Sequence, residues 1–308
     1  MKLIESSVQI IEEKDPYKTI ELAGRTCYKS EDKITEDSAK EFVDRMIKLG
    51  HGAMLEHGTI YLTIDGEDPN LSKIQSNPHT KVNLVPYEVL TEGNYTISYK
   101  AHITTNLRVL IENNLKELLQ YQVEPTEHHE KRITAKFICD RGVSHEFVRH
   151  RVFSFAQESQ RYCNYNKDKF GNECTFIIPS WLNDFPECII RDSISGCMWP
   201  SDYYRENLDG SFRGNVIFMT HTKYLIDSLF RAEKSYNNLI NSGWKPQQAR
   251  AILPNATKTE LVMTGFESDW GSFFKLRCSG AAHPDAKKLA DELKSLMNVK
   301  NIELNSVK

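Results

Sequence analysis

Arg149-His150-Arg151-Val152-Phe153-Ser154-Phe155-Ala156-Gln157-Glu158-Ser159-Gln160-Arg161-Tyr162 is the stretch from which the rest of this chain is read. It holds three arginines and a histidine against a single carboxylate, Glu158, with serine, glutamine and tyrosine between them. Buried charges need partners, so a run this polar and cationic is poor core material. Arginine forks match phosphate and carboxylate oxygens two at a time, and neighbouring hydroxyl and amide groups can read the edge of a ring. The run therefore leaves two readings open: a pocket for an anionic, ring-bearing ligand such as a nucleotide, or a surface loop laced with salt bridges.

The chain has 308 residues, enough for one large domain or two. Its 40% hydrophobic and 26% charged content is ordinary for a soluble globular protein. A formal net charge of -3 argues against general nucleic-acid binding, so any anion must be held by local positive charge. Seven cysteines (Cys27, Cys139, Cys163, Cys174, Cys188, Cys197, Cys278) are odd in number, widely spread and without a CxxC pair. That disfavours zinc ribbons and disulfide frameworks and favours a reducing cytoplasm. Residues 1–6 lack the apolar run of a signal peptide, and no stretch reaches the roughly 18 apolar residues of a membrane helix.

Upstream of the opening run, residues 2–10 alternate as a strand and Pro16 suits the first turn of a helix. A second helix starts at Ser38, where Ser38 and Glu41 fit a capping box, and ends at Gly50. The segment Gly50-His51-Gly52-Ala53-Met54-Leu55-Glu56-His57 reads as a loop before a strand over 59–64. Its histidines and glutamate suit metal ligation or a polar turn alike. Tyr95–Tyr99 reads as a strand, 106–122 as a helix, and His128-His129-Glu130 as a solvated loop. Residues 135–139 form a strand, and Asp140-Arg141-Gly142-Val143 a turn. A helix over 143–151 then puts Glu146, Arg149 and His150 on one face. His145 and His150 are five apart, so the superficial zinc-protease pattern there fails.

Downstream, 176–179 is a strand and 180–200 irregular. Residues 215–242 make a long helix closed by Gly243, and Pro246 opens another. Residues 260–264 suit a strand or a helical turn, Ser268 caps a helix to Arg277, and a last helix starts at Pro284. Arg250 and Arg277 each interrupt apolar sequence, which predicts that both are partly buried and partnered.

Arg149-His150-Arg151, seven residues, Ser159, then Arg161-Tyr162 resembles the signature of the flavin-dependent thymidylate synthases. The segment His51…Glu56-His57, the Ala249-Arg250…Leu253-Pro254 run and the Phe274…Leu276-Arg277 run resemble that family in the same order. The resemblance covers about 15–64 and 135–297, and implies one catalytic domain over 1–308 with an insertion at about 65–130. It implies an α/β (α+β) fold with a mixed sheet and long helices, assembled as a homotetramer with active sites shared between subunits. The implied reaction is reductive methylation of dUMP to dTMP. 5,10-Methylenetetrahydrofolate is the carbon donor, reduced FAD the hydride source and NADPH the reductant. Small molecules are the implied partners, with no nucleic acid, no membrane and no metal.

The resemblance also assigns roles. Arg277 pairs with the pyrimidine and favours its ionisation, as a cation beside a developing anion does. Glu146, Arg149, Gln157, Glu158, Ser159, Gln160, Arg161 and Arg250 complete the dUMP pocket. His51, Ala53, Glu56, Arg149, His150, Arg151 and Gln157 line the FAD. Phe266, Ser268 and Ser272 stand where the family has Asn, Arg and Asn or His on the flavin, so contact from that side must differ. Neither Ser159 nor Cys163 has the context of an activated nucleophile. Two rivals remain: another flavoprotein or nucleotide-modifying enzyme reusing the pocket, and a non-catalytic nucleotide- or RNA-binding protein.

Overall fold

The computed structural model describes residues 1–91, 94–167, 171–182 and 220–299. The elements that position the arginine-rich run are an antiparallel sheet and the helices on its two faces. In chain order the first half contains β1 (Lys2–Ile4), β2 (Ser7–Ile11), α1 (Pro16–Tyr28), α2 (Ser38–Lys48), α3 (Gly52–Leu55), β3 (Thr59–Asp65), α4 (Leu71–Gln75), β4 (Lys81–Thr91), β5 (Asn94–Asn106) and α5 (Leu107–Glu112). The second contains β6 (Arg132–Asp140), α6 (Arg141–Phe147), β7 (Ser154–Gln157), β8 (Thr175–Ile177), α7 (Thr220–Asn241), α8 (Pro246–Ala249), β9 (Lys258–Phe266), α9 (Glu267–Arg277) and α10 (Pro284–Val299).

The central sheet runs β2-β6-β9-β7, every neighbouring pair antiparallel. A second antiparallel sheet runs β3-β5-β4. Parallel pairing is confined to β1 with β8, apart from both. Among the described residues, therefore, no single sheet is mixed as the resemblance implied. β6 and β7 run in the same direction, joined through α6, and β9 lies between them antiparallel to both.

β9 is buried from Thr259 to Phe266, on both faces, as expected of a sheet covered on both sides. Leu261 and Met263 pack with Phe147, Trp270, Phe273 and Leu293 from α6, α9 and α10. Val262, with Ala156 of β7, packs on the other face with Ile20, Phe42 and Leu55 of α1–α3. A third core joins β1 and β8 to α7 through Leu3, Phe176 and Tyr236. Each large buried side chain contributes about 1.5–3 kcal/mol.

Local chemistry explains most boundaries and corrects several expectations. Asp15 caps α1, accepting from the Tyr17 amide at 2.8 Å, and Gly50 takes the left-handed conformation after α2 (φ 68°). Ser38 does not form the capping box: its hydroxyl donates to Glu21 at 2.9 Å and accepts from the Thr35 amide at 2.9 Å. The helix expected over 106–122 breaks at Asn114 (φ 56°) and resumes as a 3-10 turn over Lys116–Tyr121. Asp140 caps α6 by accepting from the Val143 amide at 2.7 Å, so the expected turn at 140–143 is the first turn of the helix. That helix stops at Phe147, not at 151. The segment 50–57 contains α3 and is not all loop. Of the long helix expected over 215–242, Thr220–Asn241 is described; 215–219 and most of the irregular stretch, 183–200, lie outside the described residues.

Candidate active site

Arg277 ends α9 with its side chain buried, and it is partnered as its apolar surroundings require. Its Nη1 donates to Glu146 Oε2 at 2.5 Å and its Nη2 to the Glu146 carbonyl at 2.5 Å. Nε donates to His150 Nε2 at 3.0 Å, which leaves the His150 proton on Nδ1. Burial and the adjacent guanidinium push the His150 pKa down to about 4, so the ring is neutral at pH 7. Burial also lowers the Arg277 pKa, Glu146 opposes that and Arg149 adds to it. Arg149 thus lies near enough to be felt, although its side chain is exposed and α6 has already ended. Glu146 and His150 meet at Arg277 without the shared helical face the spacing suggested.

Gln157, at the end of β7, donates from Nε2 to Ser144 Oγ at 2.7 Å and to Thr259 Oγ1 at 3.3 Å. Arg141 reaches the same Thr259 hydroxyl at 3.4 Å and the Glu158 carbonyl at 3.3 Å. Glu158 is buried and points inward, its carboxylate on Lys258 Nζ at 2.7 Å and on the Tyr165 hydroxyl at 3.3 Å. The side chain that the resemblance assigns to dUMP is thus committed to an ion pair in this chain. Lys258 also meets Glu260, as do Lys29 and Lys136, and those three ammonium groups hold the Glu260 carboxyl far below its ordinary pKa against the cost of burial.

The chain leaves this floor exposed. The Ser159 amide donates to Cys27 O at 3.0 Å, and Ser159 Oγ accepts from the Arg161 amide at 3.3 Å. Gln160 is buried, whereas Arg161 is exposed beside the Tyr162 ring. Tyr162 packs on Tyr28, whose hydroxyl meets His51 Nδ1 at 3.0 Å. Ala53 is exposed on α3 next to that histidine. Glu56 pairs with Arg108, and its carbonyl accepts from Arg132 Nη1 at 2.9 Å. Behind it His57 is fully buried, bonded to Thr264 Oγ1 at 2.8 Å, with its pKa pushed down to about 3 by burial and by the Arg132 charge.

Arg250 departs from expectation. It is exposed at the start of a 3-10 turn and has no ion-pair partner among the described residues, because α8 is short and the turn directs residue 250 outward. Arg149, Arg151 and Arg161 likewise have no ion-pair partner among the described residues. Within one chain the candidates form two main groups: Glu146, His150 and Arg277 with Arg149 beside them, and Arg161 with Tyr162, Tyr28 and His51. No hydrogen bond or ion pair among the described residues joins the two.

At the other end of α9, Phe266 is buried beneath the Lys81 ammonium, 4.8 Å from the ring centroid, so its side chain offers a flavin no polar contact. Ser268 is not the helix cap; its hydroxyl accepts from Lys81 Nζ at 2.8 Å and meets Glu130 at 2.5 Å. Ser272 is exposed. A cleft of about 850 Å³ opens beside Ser268, lined also by Lys81, Asn83, His102, His128 and Arg132. His129 in its wall is buried, accepting from the Thr126 amide at 3.1 Å and donating to Leu62 O at 3.0 Å, so 128–130 is not the solvated loop it resembled.

Sequence reasoning missed Arg141, Lys81 and the three lysines around Glu260. Arg141 was legible in principle, since Asp140 two residues before Gly142 is a helix cap. The others come together only through strand pairing. Among the described residues no group of three or more histidine, cysteine or carboxylate side chains could hold a metal ion. No described helix is long and apolar enough to cross a membrane.

Comparison with known proteins bears on this arrangement directly. A flavin-dependent thymidylate synthase of Corynebacterium aurimucosum is 23% identical over 273 residues, 88% of this chain and 71% of that protein. One from Geobacter sulfurreducens is 21% identical over 290 residues, 92% of this chain and 78% of that protein. One from Mycobacterium marinum is 31% identical over 152 residues, about half of each chain. A solved structure, the UMP/dUMP methylase PolB of Streptomyces cacaoi bound with 5-Br dUMP, is 14% identical at a TM-score of 0.41, covering 97% of this chain and 93% of that one, a likeness too slight to argue from. The family described as thymidylate synthase complementing protein (Thy1) matches residues 9–71 and 92–300, which include His51, the whole Arg149–Tyr162 run, Arg250 and Arg277. The chain belongs to the Thy1 family, that of the flavin-dependent thymidylate synthases.

Proposed function

We propose that this protein reductively methylates dUMP to dTMP, taking a one-carbon unit from 5,10-methylenetetrahydrofolate and reducing equivalents from NADPH through FAD. In balance, dUMP, methylenetetrahydrofolate, NADPH and a proton give dTMP, tetrahydrofolate and NADP⁺. The observation that carries this reading is the pairing of a half-buried, neutral His150 with Arg277 inside a family-matched segment whose Arg149, Arg151 and Arg161 have no ion-pair partner among the described residues.

The residues present suit a flavin on one side. Arg149 and Arg151 offer exposed guanidinium groups, without an ion-pair partner among the described residues, for its phosphates, and exposed His51 and Ser272 offer further donors. Bound there, the flavin supplies the hydride. Arg277 holds a cation beside the uracil ring and favours loss of its N3 proton, while Glu146 keeps that guanidinium oriented. His150 donates from Nδ1 while its Nε2 stays on Arg277. Arg161 and Arg250 grip the phosphate, and Ser159 and Gln157 orient the ring. Glu158 acts from below, through Lys258, by fixing the backbone of that loop.

The assembly that fits best is a homotetramer in which one subunit's Arg161 group faces another's Arg277 group, since no hydrogen bond or ion pair among the described residues joins the two in one chain. A cytoplasmic site of action suits the unpaired cysteines. We read 1–308 as one catalytic domain with 65–130 as an insertion. Purified protein should take up FAD and turn yellow, and should couple NADPH oxidation to dTMP formation from dUMP. A colourless protein that cannot bind FAD refutes the reading, and RNA retention with a steep salt dependence would favour the binding-protein rival.

A further inference from the structure

β4 pairs with β5 along its whole length, from Lys81 opposite Thr104 to Thr91 opposite Asn94. β3 pairs only with Lys100–Asn106 of β5. Residues 86–91 and 94–99 therefore run on past the third strand as a two-stranded ribbon, a form that is marginal in water by itself. Directly opposed residues of an antiparallel pair share a face. Leu84 with Ala101, Pro86 with Tyr99, Glu88 with Ile97 and Leu90 with Tyr95 accordingly lie on one side. Ala101 is fully buried in the core, but beyond it that side is bare: Leu84 is 46% exposed, Leu90 63%, Tyr95 73%, Ile97 67% and Tyr99 47%. The other side, with Val85 and Tyr87, is half-buried, and the Lys100 ammonium covers the Tyr87 ring at 5.5 Å.

We propose that the bare side is an interface with a second copy of this chain, two ribbons packing face to face across a twofold axis. Whole aromatic side chains bury about 150–250 Å², so the exposed fractions of these five residues amount to on the order of 600 Å² per copy. Two copies would together remove on the order of 1,200 Å² from water, the lower bound of a stable interface. The surface carries one charge, Glu88, and so offers a charged partner nothing to read, while an apolar strip is complementary to its own copy. Pro86 lacks an amide on the outer strand, which blunts the edge against strand addition and leaves the face as the route. The family match passes over residues 72–91, so β4, which carries Leu84 and Leu90 of this surface, lies outside the match, while β5 lies within it.

Sedimentation equilibrium on three proteins tests this: wild type, Tyr95→Lys/Ile97→Lys on the bare side, and Thr96→Lys/Ser98→Lys on the opposite side of the same strand. The bare-side variant should give half the wild-type mass, and the opposite-side variant the full mass. A monomeric wild type, an unchanged bare-side variant, or equal losses in both variants would overturn the proposal. Should two lysines unfold the ribbon, Ile97→Ser in the same assay should raise the dissociation constant at least tenfold, and an unchanged constant counts equally against it.

Discussion

Acid should destabilise the fold through the buried His57. His57 is fully buried against Thr264, and burial with the Arg132 charge pulls its pKa from 6.5 to about 3. Above pH 6.5 the ring is neutral in folded and unfolded chains alike and contributes no pH dependence. As pH falls through 6.5 the unfolded chain takes up a proton that the folded one refuses, so stability drops until the folded ring titrates near 3. At about 1.4 kcal/mol per pH unit, the gap gives about 2 kcal/mol by pH 5 and on the order of 5 kcal/mol by pH 3. His57→Gln keeps an amide for Thr264 but cannot titrate. Urea unfolding of both proteins from pH 7 to pH 5 should show the wild type losing about 2 kcal/mol more than the variant. Curves that stay parallel would show that His57 does not resist protonation, and the reasoning about this buried core would fail.

Other perturbations address the reaction and the packing. Arg277→Ala should lower turnover by about two orders of magnitude or more while circular dichroism stays unchanged; near-normal turnover removes Arg277 from the chemistry. Arg161→Ala should raise the half-saturating dUMP concentration about tenfold, the equivalent of one charge-assisted bond, with turnover nearly unchanged. An unaltered dUMP dependence places the phosphate elsewhere. At Gly265 an added Cβ would lie 2.3 Å and 2.4 Å from ring carbons of Phe153. Gly265→Ala should therefore cost about 1–3 kcal/mol in urea unfolding, since Phe153 is wedged against Trp270 and Phe273. A midpoint equal to wild type would show that the ring has room to move.

The sequence made the strong periodic elements and the arginine run plain, because period and side-chain type are local properties. α1, β3, α9 and α10 lie where their apolar spacing put them. Gly50 and Gly243 close helices as read, each with positive φ. What sequence could not convey was pairing across distance. β4 was missed because both its faces carry apolar residues, Leu84 and Leu90 on one and Val85, Tyr87 and Val89 on the other, so polarity does not alternate, and β7 because Ser154–Gln157 is a strand only by leaning on β9. Nothing local shows that Lys258, 100 residues on, claims the Glu158 carboxylate. Arg250 read as buried because its neighbours are apolar, yet a 3-10 turn rotates it outward.

The exposed guanidinium groups of Arg149, Arg151, Arg161 and Arg250 sit on a molecule whose formal charge is -3. A dianionic nucleotide approaching such a molecule is drawn to these exposed arginines, so the local field narrows the search before any contact forms. Capture should then quicken at low ionic strength and slow as counter-ions screen the arginines, with escape rates far less affected.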